Sequence, residues 1–557
     1  MMWQQNYEPV AASLGLSAVV AAIPILVLFF ALGVKKTPVW VAAISALGSA
    51  VIVALVAYGM PLPLAIMSAV YGAAFGLFPI AWIVFTAILL YRLTVETGKF
   101  DIIKDSVGGL TTDRRLQALL IAFAFGAFIE GAAGFGTPVA VAAAMLAGLG
   151  FSPFHAAAIC LLANTAPVAF GSLGIPVTTL ANITGMPVLP LSAMVGRLSA
   201  MISLFIPGYL IVVMTGPRRA LEVLPAIVAC GLSFAAVQFT VSNYVGPELT
   251  DILSSLTAIG TIVVLIKFWT PRTTMQMEGD WAGSTSGAGV RVAPGRRTGS
   301  ETFAAWMPYL LLVLFVLVWG APSVKGAIDR ATTLLLPVPA LHQSIVRVPP
   351  VTAQPAPYAA VFTFNWLGAS GTSCLLAVLA AAAFLRVGAR RFIRLGGTTF
   401  TQLKMPILTI AAMLAMAYVM NYSGMTSTLG LALAGSGAGF PFFSATLGWL
   451  GVFLTGSDTS ANALFGNLQV VTANALGLNP VLTAAVNSAA GVVGKMVSPQ
   501  SIAVAVAATG MASSDEGKLF RFTLKHSVLL MVVIGIVSML YAYVFPGLVP
   551  VVPAPTP

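Results

Sequence analysis

Apolar windows of about 20 residues follow one another along the whole chain, and each is long enough for a helix to cross a hydrocarbon layer of ~30 Å. They count to about twelve crossings. With 59% hydrophobic and 8% charged residues among 557, a water-soluble globule with a polar surface is excluded. Continuous apolar windows also favour helices over a closed barrel, whose strands alternate. The expected fold class is an all-α polytopic membrane protein. The formal charge of +11 falls in short Lys/Arg clusters between windows, the pattern of positive-inside loops, and does not read as a nucleic-acid surface. Cys160, Cys230 and Cys374 each lie inside apolar sequence, with no spacing for a disulfide framework or a metal. The first window lacks a basic flank and a cleavage site, so it reads as a retained helix.

Two windows are broken by polar residues. The first break, Gly126-Ala-Phe-Ile-Glu130-Gly-Ala-Ala-Gly134-Phe-Gly136-Thr-Pro138, places a carboxylate and a burst of glycines between two apolar arms. The second, Gly451-Val-Phe-Leu-Thr455-Gly-Ser-Asp458-Thr459-Ser460, mirrors it. Half-length arms around a polar tip predict a re-entrant hairpin at each. Two further windows are interrupted by proline and glycine, at Asn164-Thr165-Ala-Pro167 through Gly171-Ser-Leu-Gly174-Ile-Pro176, and at Gly491-Val-Val-Gly494-Lys495-Met-Val-Ser498-Pro499. Continuous helix is forbidden there, which frees backbone N–H and C=O groups within the membrane.

The breaks recur in order. Phe78-Pro79 matches Met405-Pro406, Gly126 matches Gly451, Asn164-Thr165 matches Asn487-Ser488, Pro176 matches Pro499, and Thr184-Gly185 matches Thr509-Gly510. The offsets run only from 323 to 327 residues, so the halves read as a duplication. Lys35-Lys36 places the first turn in the cytoplasm, and counting crossings from there makes the two copies inverted. The predicted organisation is N-terminal helices over 1–62, repeat 1 over 63–190 and connecting helices over 191–270. A cytoplasmic linker follows over 271–302, helices with an exterior loop over 303–389, inverted repeat 2 over 390–512, and a last helix and tail over 513–557. Both termini are expected outside. Residues 321–358, with seven prolines, read as an exterior loop with short helical pieces at most.

Inverted repeats with broken helices are the architecture of secondary transporters, in which half-helix N-termini offer unpaired N–H groups to an anion. Lys495 is the candidate for a substrate carboxylate, because a midplane lysine costs about 2.5 to 3.5 kcal/mol and needs a partner or a task. A salt bridge to Glu130 or Asp458 is the alternative. Those two acids, one at each hairpin tip, are the candidates for proton coupling, with helix capping the other reading of Asp458. Asn164, Thr165, Asn487 and Ser488 stand at the breaks, to satisfy freed backbone or to touch substrate. Gly134, Gly136, Thr459, Ser460 and Ser498 complete the candidate substrate site. Arg197 is an accessory candidate, with snorkelling to the interface as its alternative. His155 reads as interfacial. No histidine lies at the midplane and no serine there has an obvious base, so a membrane hydrolase is disfavoured.

At Phe100-Asp-Ile-Ile103, Glu130-Gly-Ala-Ala-Gly-Phe-Gly136, Asn164-Thr-Ala-Pro-Val-Ala-Phe-Gly171, Gly246-Pro-Glu-Leu249, Leu454-Thr-Gly-Ser-Asp-Thr-Ser460 and Gly494-Lys-Met-Val-Ser-Pro-Gln-Ser501 the chain closely resembles the lactate permease family. The resemblance covers almost the whole chain. It implies an inner-membrane proton symporter for 2-hydroxymonocarboxylates, importing L-lactate with glycolate and D-lactate as co-substrates, without a cofactor and surrounded by lipid. Sodium coupling and an anion channel are the competing transport readings. Thr137 departs from the alanine that the resemblance leads one to expect, and adds a hydroxyl near the first tip.

Overall fold

The computed structural model describes the chain apart from residues 1, 36, 135, 276–297, 353, 513–514 and 552–557. Most of the 271–302 linker, with Arg291, Arg296 and Arg297, therefore lies outside the described residues, as do Lys36 and Phe135. Among the described residues twelve helices are long and apolar enough to cross a membrane, and the chain is a multi-pass membrane protein.

Burial divides these helices. Leu14–Leu32, Gly299–Gly320 and Glu516–Tyr543 bury only about a third of their apolar windows or less, and turn the rest outward, as lipid-facing helices do. Arg114–Ala132 and Pro480–Thr509 are buried along their whole apolar windows. They form the centre. Arg114–Ala132 is apolar on every side through Ala118–Phe125, so it suits a place surrounded by protein. It is followed by Thr137–Gly148, which packs back against it. Phe440–Thr455 turns at Gly456-Ser457 into Asp458–Ala475 in the same manner. Pro153–Ala163 and Val168–Thr184 meet at 65°, and Pro480–Lys495 is interrupted before Pro499–Thr509.

The apolar run 64–90 is longer than one span and reads in the sequence as a short interfacial piece followed by a crossing from about Pro79, and the helical backbone does break there. Leu62–Glu96 is one 35-residue candidate span with a non-helical residue, Phe78 (φ −140°, ψ 127°), ahead of Pro79, because proline disfavours helical backbone in the residue before it. The proline-rich segment 321–358 holds an 11-residue helix, Pro322–Thr332, but also strands. Leu334–Pro337 pairs antiparallel with Val361–Phe364, and Ile345–Arg347 lies between Trp3–Gln4 and Ala356–Pro357. Scattered prolines tolerate such short ribbons because most of their residues lie on sheet edges.

Candidate functional site

The first hairpin arm is anchored at its start. Arg115 is fully buried and donates to Asp113 at 2.8 Å, Glu222 at 2.7 Å, and the carbonyls of Arg219 and Thr273 at 2.9 and 2.7 Å. From that base the arm rises through apolar packing to Glu130, which is 2% exposed.

Glu130 Oε1 accepts from Lys495 Nζ at 2.9 Å. Lys495 ends the helix Pro480–Lys495, where a cation faces the carbonyl end of the helix dipole. The chain then restarts at once. Ser498 caps the next helix by accepting from Ser501 N–H at 3.2 Å, and Pro499 occupies the first turn, where its missing N–H costs nothing. Glu130 fits because Gly171 has no side chain: a Cβ there would stand 2.6 Å from Glu130 Oε1. Glu130 Oε2 has no hydrogen-bond partner.

Asp458 opens the helix Asp458–Ala475 directly after its cap, Ser457, which accepts from Ser460 N–H at 3.3 Å. Its Oδ2 accepts from Ser488 Oγ at 2.6 Å, while Oδ1 has no partner. Here too a glycine makes room, since a Cβ on Gly491 would stand 2.4 Å from Asp458 Oδ1. Asn462, one turn further along, donates to Ser488 Oγ and to the Pro176 carbonyl at 3.1 Å each, joining the second hairpin to the first broken span. Asn487 donates to Asn462 Oδ1 at 2.9 Å and accepts from Gln469 at 3.1 Å.

Glu130, Lys495, Asp458, Thr459, Ser457 and Ser172 line one cavity of about 50 Å³. A few water-sized groups fit in that space, the size class of a molecule with a handful of heavy atoms. Ser172 and Leu173, at φ 47° and 58°, hold left-handed backbone beside it. Such non-glycine residues cost of order 1–3 kcal/mol and persist where surrounding structure enforces them. Ser172 Oγ donates to the Ala133 carbonyl at 2.9 Å, so this strained turn is tied to the first hairpin tip.

The remaining predicted residues are placed as follows. Asn164 lines a narrow crevice with Lys495 and Ser501, and its Oδ1 has no partner. Gly134 and Gly136, with φ of 59° and 81°, form the first tip. Thr165, Asn487, Ser488, Ser498 and Ser460 are engaged in hydrogen bonds of the breaks and caps; Thr165, for example, donates to the Leu162 carbonyl at 2.7 Å. Arg197 lies elsewhere, donating to Asn243 Oδ1 at 2.9 Å and to the Leu548 carbonyl. His155 is held by Ser152 at 2.7 Å. Sequence reasoning missed Ser172, Ser457 and Asn462. Asn462 was legible as the residue four places after Asp458 on one helix face.

Residues 17–545 match the family model described as L-lactate permease. The L-lactate permease of Bacillus subtilis (strain 168) is 48% identical over 99% of this chain and 100% of its own length. The glycolate permease GlcA of Escherichia coli (strain K12) is 46% identical over 98% of this chain and 99% of its own. Among solved structures, the Alcanivorax borkumensis YdaH transporter aligns with 86% of this chain and 88% of its own, at a TM-score of 0.43 and 14% identity.

Proposed function

This chain belongs to the L-lactate permease family, and we propose that it is a secondary active transporter importing L-lactate, with glycolate and D-lactate as co-substrates, together with a proton across the inner membrane. The observation that carries the reading is the Lys495–Glu130 ion pair at the edge of a small buried cavity.

The coupling follows from charge. A substrate carboxylate entering the cavity competes with Glu130 for the Lys495 ammonium. Once displaced, Glu130 is a buried carboxylate without its counter-ion, a state far costlier than the neutral acid. A proton is therefore taken up with the anion, and the loaded site stays neutral. The N-terminus of Asp458–Ala475, presenting Ser457 and Thr459, adds donors suited to the substrate's second oxygen and hydroxyl. Asp458, braced by Ser488, is the second coupling candidate.

In this reading the two helix–turn–helix units are re-entrant hairpins, and 63–190 and 390–512 are inverted repeats, with both termini on the periplasmic side.

The test is uptake by purified protein in liposomes. Lactate should accumulate under an imposed inward proton gradient, saturate, be competed by glycolate, and collapse with a proton ionophore. Accumulation that follows sodium and ignores the pH gradient would overturn proton coupling, and non-saturable flux without counterflow would make the protein a channel.

A further inference from the structure

Asp251 stands in the first turn of Thr250–Phe268 and is 1% exposed, yet neither of its carboxyl oxygens has a hydrogen-bond partner. It packs against the first hairpin where Gly131 follows Glu130. A Cβ on Gly131 would stand 2.8 Å from Asp251 Cβ and 3.2 Å from Ile252 N, so glycine is what lets the two helices meet at this level. Asp251 is within electrostatic reach of both Glu130 and Lys495.

The charged groups around it can be counted. From the packed first arm comes Glu130, and from Pro480–Lys495 comes Lys495; Arg114 and Arg115 lie at the arm's far end. The neighbouring Leu224–Tyr244 brings no charged side chain, and its titratable groups are Cys230 and Tyr244; Val168–Thr184 brings neither. On the loop before Asp251, Glu248 accepts from Ser370 at 3.1 Å. With Asp458 included, the centre holds three carboxyl groups and one ammonium. Glu130 has Lys495, and Asp458 has the hydroxyl of Ser488. Asp251 accepts no bond. Of the three, it is the group least able to hold a negative charge, because with no hydrogen bond and no ion pair only the helix dipole and the charge of Lys495, which is paired to Glu130, offset its lost hydration.

Resting on the proton-coupled reading above, we propose that Asp251 is a proton-binding site of the transport cycle, which shares the coupling proton with Glu130. In the empty site Asp251 is the neutral acid and Glu130 the carboxylate on Lys495; when substrate takes Lys495, Asp251 passes its proton to Glu130, is a carboxylate for that moment, and takes a new proton from solution. While substrate occupies Lys495, both Asp251 and Glu130 are neutral. When substrate leaves and Glu130 regains Lys495, one proton is free to go.

The experiment compares wild type, Asp251→Asn and Asp251→Glu in the same liposomes. Asp251→Asn is expected to lose accumulation driven by the pH gradient, reaching only equal concentrations on both sides, while lactate–lactate counterflow at equal pH persists. Asp251→Glu is expected to accumulate with a displaced pH profile. Asp251→Asn that accumulates as wild type does overturns the proposal, as does loss of counterflow and accumulation together from folded protein, which marks a structural residue. Should Asp251→Asn fail to fold, Asp251→Glu decides: an unmoved pH profile overturns the proposal. A wild type that ignores the pH gradient overturns the coupling reading itself, and is told apart because it needs no variant.

Discussion

Lys495 and Glu130, 365 residues apart in the chain, form an ion pair at 2.9 Å between the end of one broken helix and the tip arm of the first hairpin. Both are buried, so neither is held by solvent. Their energies are coupled: removing one partner strands the other, whereas removing both need not.

Lys495→Ala should abolish lactate uptake and lower stability by about 3–5 kcal/mol, the cost of stranding a buried charge. Combining it with Glu130→Gln should restore much of the stability and none of the uptake. Thermal unfolding in detergent beside liposome uptake checks this, and a double variant that still transports would remove Lys495 from the substrate site.

Glu130→Gln alone should end accumulation under a pH gradient. Unchanged accumulation ratios in vesicles would move the coupling proton to Asp458 or elsewhere.

Gly171→Ala places a methyl group where Glu130 Oε1 now lies, 2.6 Å from the new Cβ. Overpacking of this kind costs about 1–3 kcal/mol. The displaced carboxylate should also alter the apparent KM for lactate, read from initial uptake rates.

Ser488→Ala removes the hydroxyl that donates to Asp458 Oδ2 at 2.6 Å and accepts from Asn462. Asp458 then keeps only a long contact from Asn462 at 3.5 Å, and Asn462 loses one of its bonds while keeping the one to the Pro176 carbonyl, which should cost about 1–3 kcal/mol, measured as a fall in melting temperature. No loss would show that the two side chains find other partners.

The anchor of the first arm should respond to acid. Burial raises the pKa of Asp113, but hydrogen bonds from the Arg115 side chain and from the Met275 and Arg115 N–H groups, with the Arg115 charge, outweigh it and hold the carboxyl below its ordinary value of 3.8. A depressed carboxyl contributes stability that is present above the ordinary value and lost as pH falls through the folded one. Melting temperature should therefore drop below about pH 4. Arg115→Ala should flatten that dependence while lowering stability at neutral pH.

Hydropathy and proline-glycine breaks determined how many helices are long and apolar enough to cross a membrane, the positions where helices stop, and the recurrence of those stops at offsets of 323 to 327 residues, because both signals are local in sequence. The polar residues at the breaks were legible for the same reason: an acid or a lysine in an apolar window stands out wherever it packs. Tertiary structure decided the partners. Sequence left Lys495 three roles, toward substrate, Glu130 or Asp458, and only the packing of Pro480–Lys495 against the neighbouring elements brought its ammonium to Glu130 and gave Asp458 to Ser488. It likewise sent Arg197 to Asn243 and brought Asp251 to the glycine beside Glu130. Ion pairs and hydrogen bonds act over a few ångströms, and no spacing rule reports which residues hundreds of positions apart will come that close.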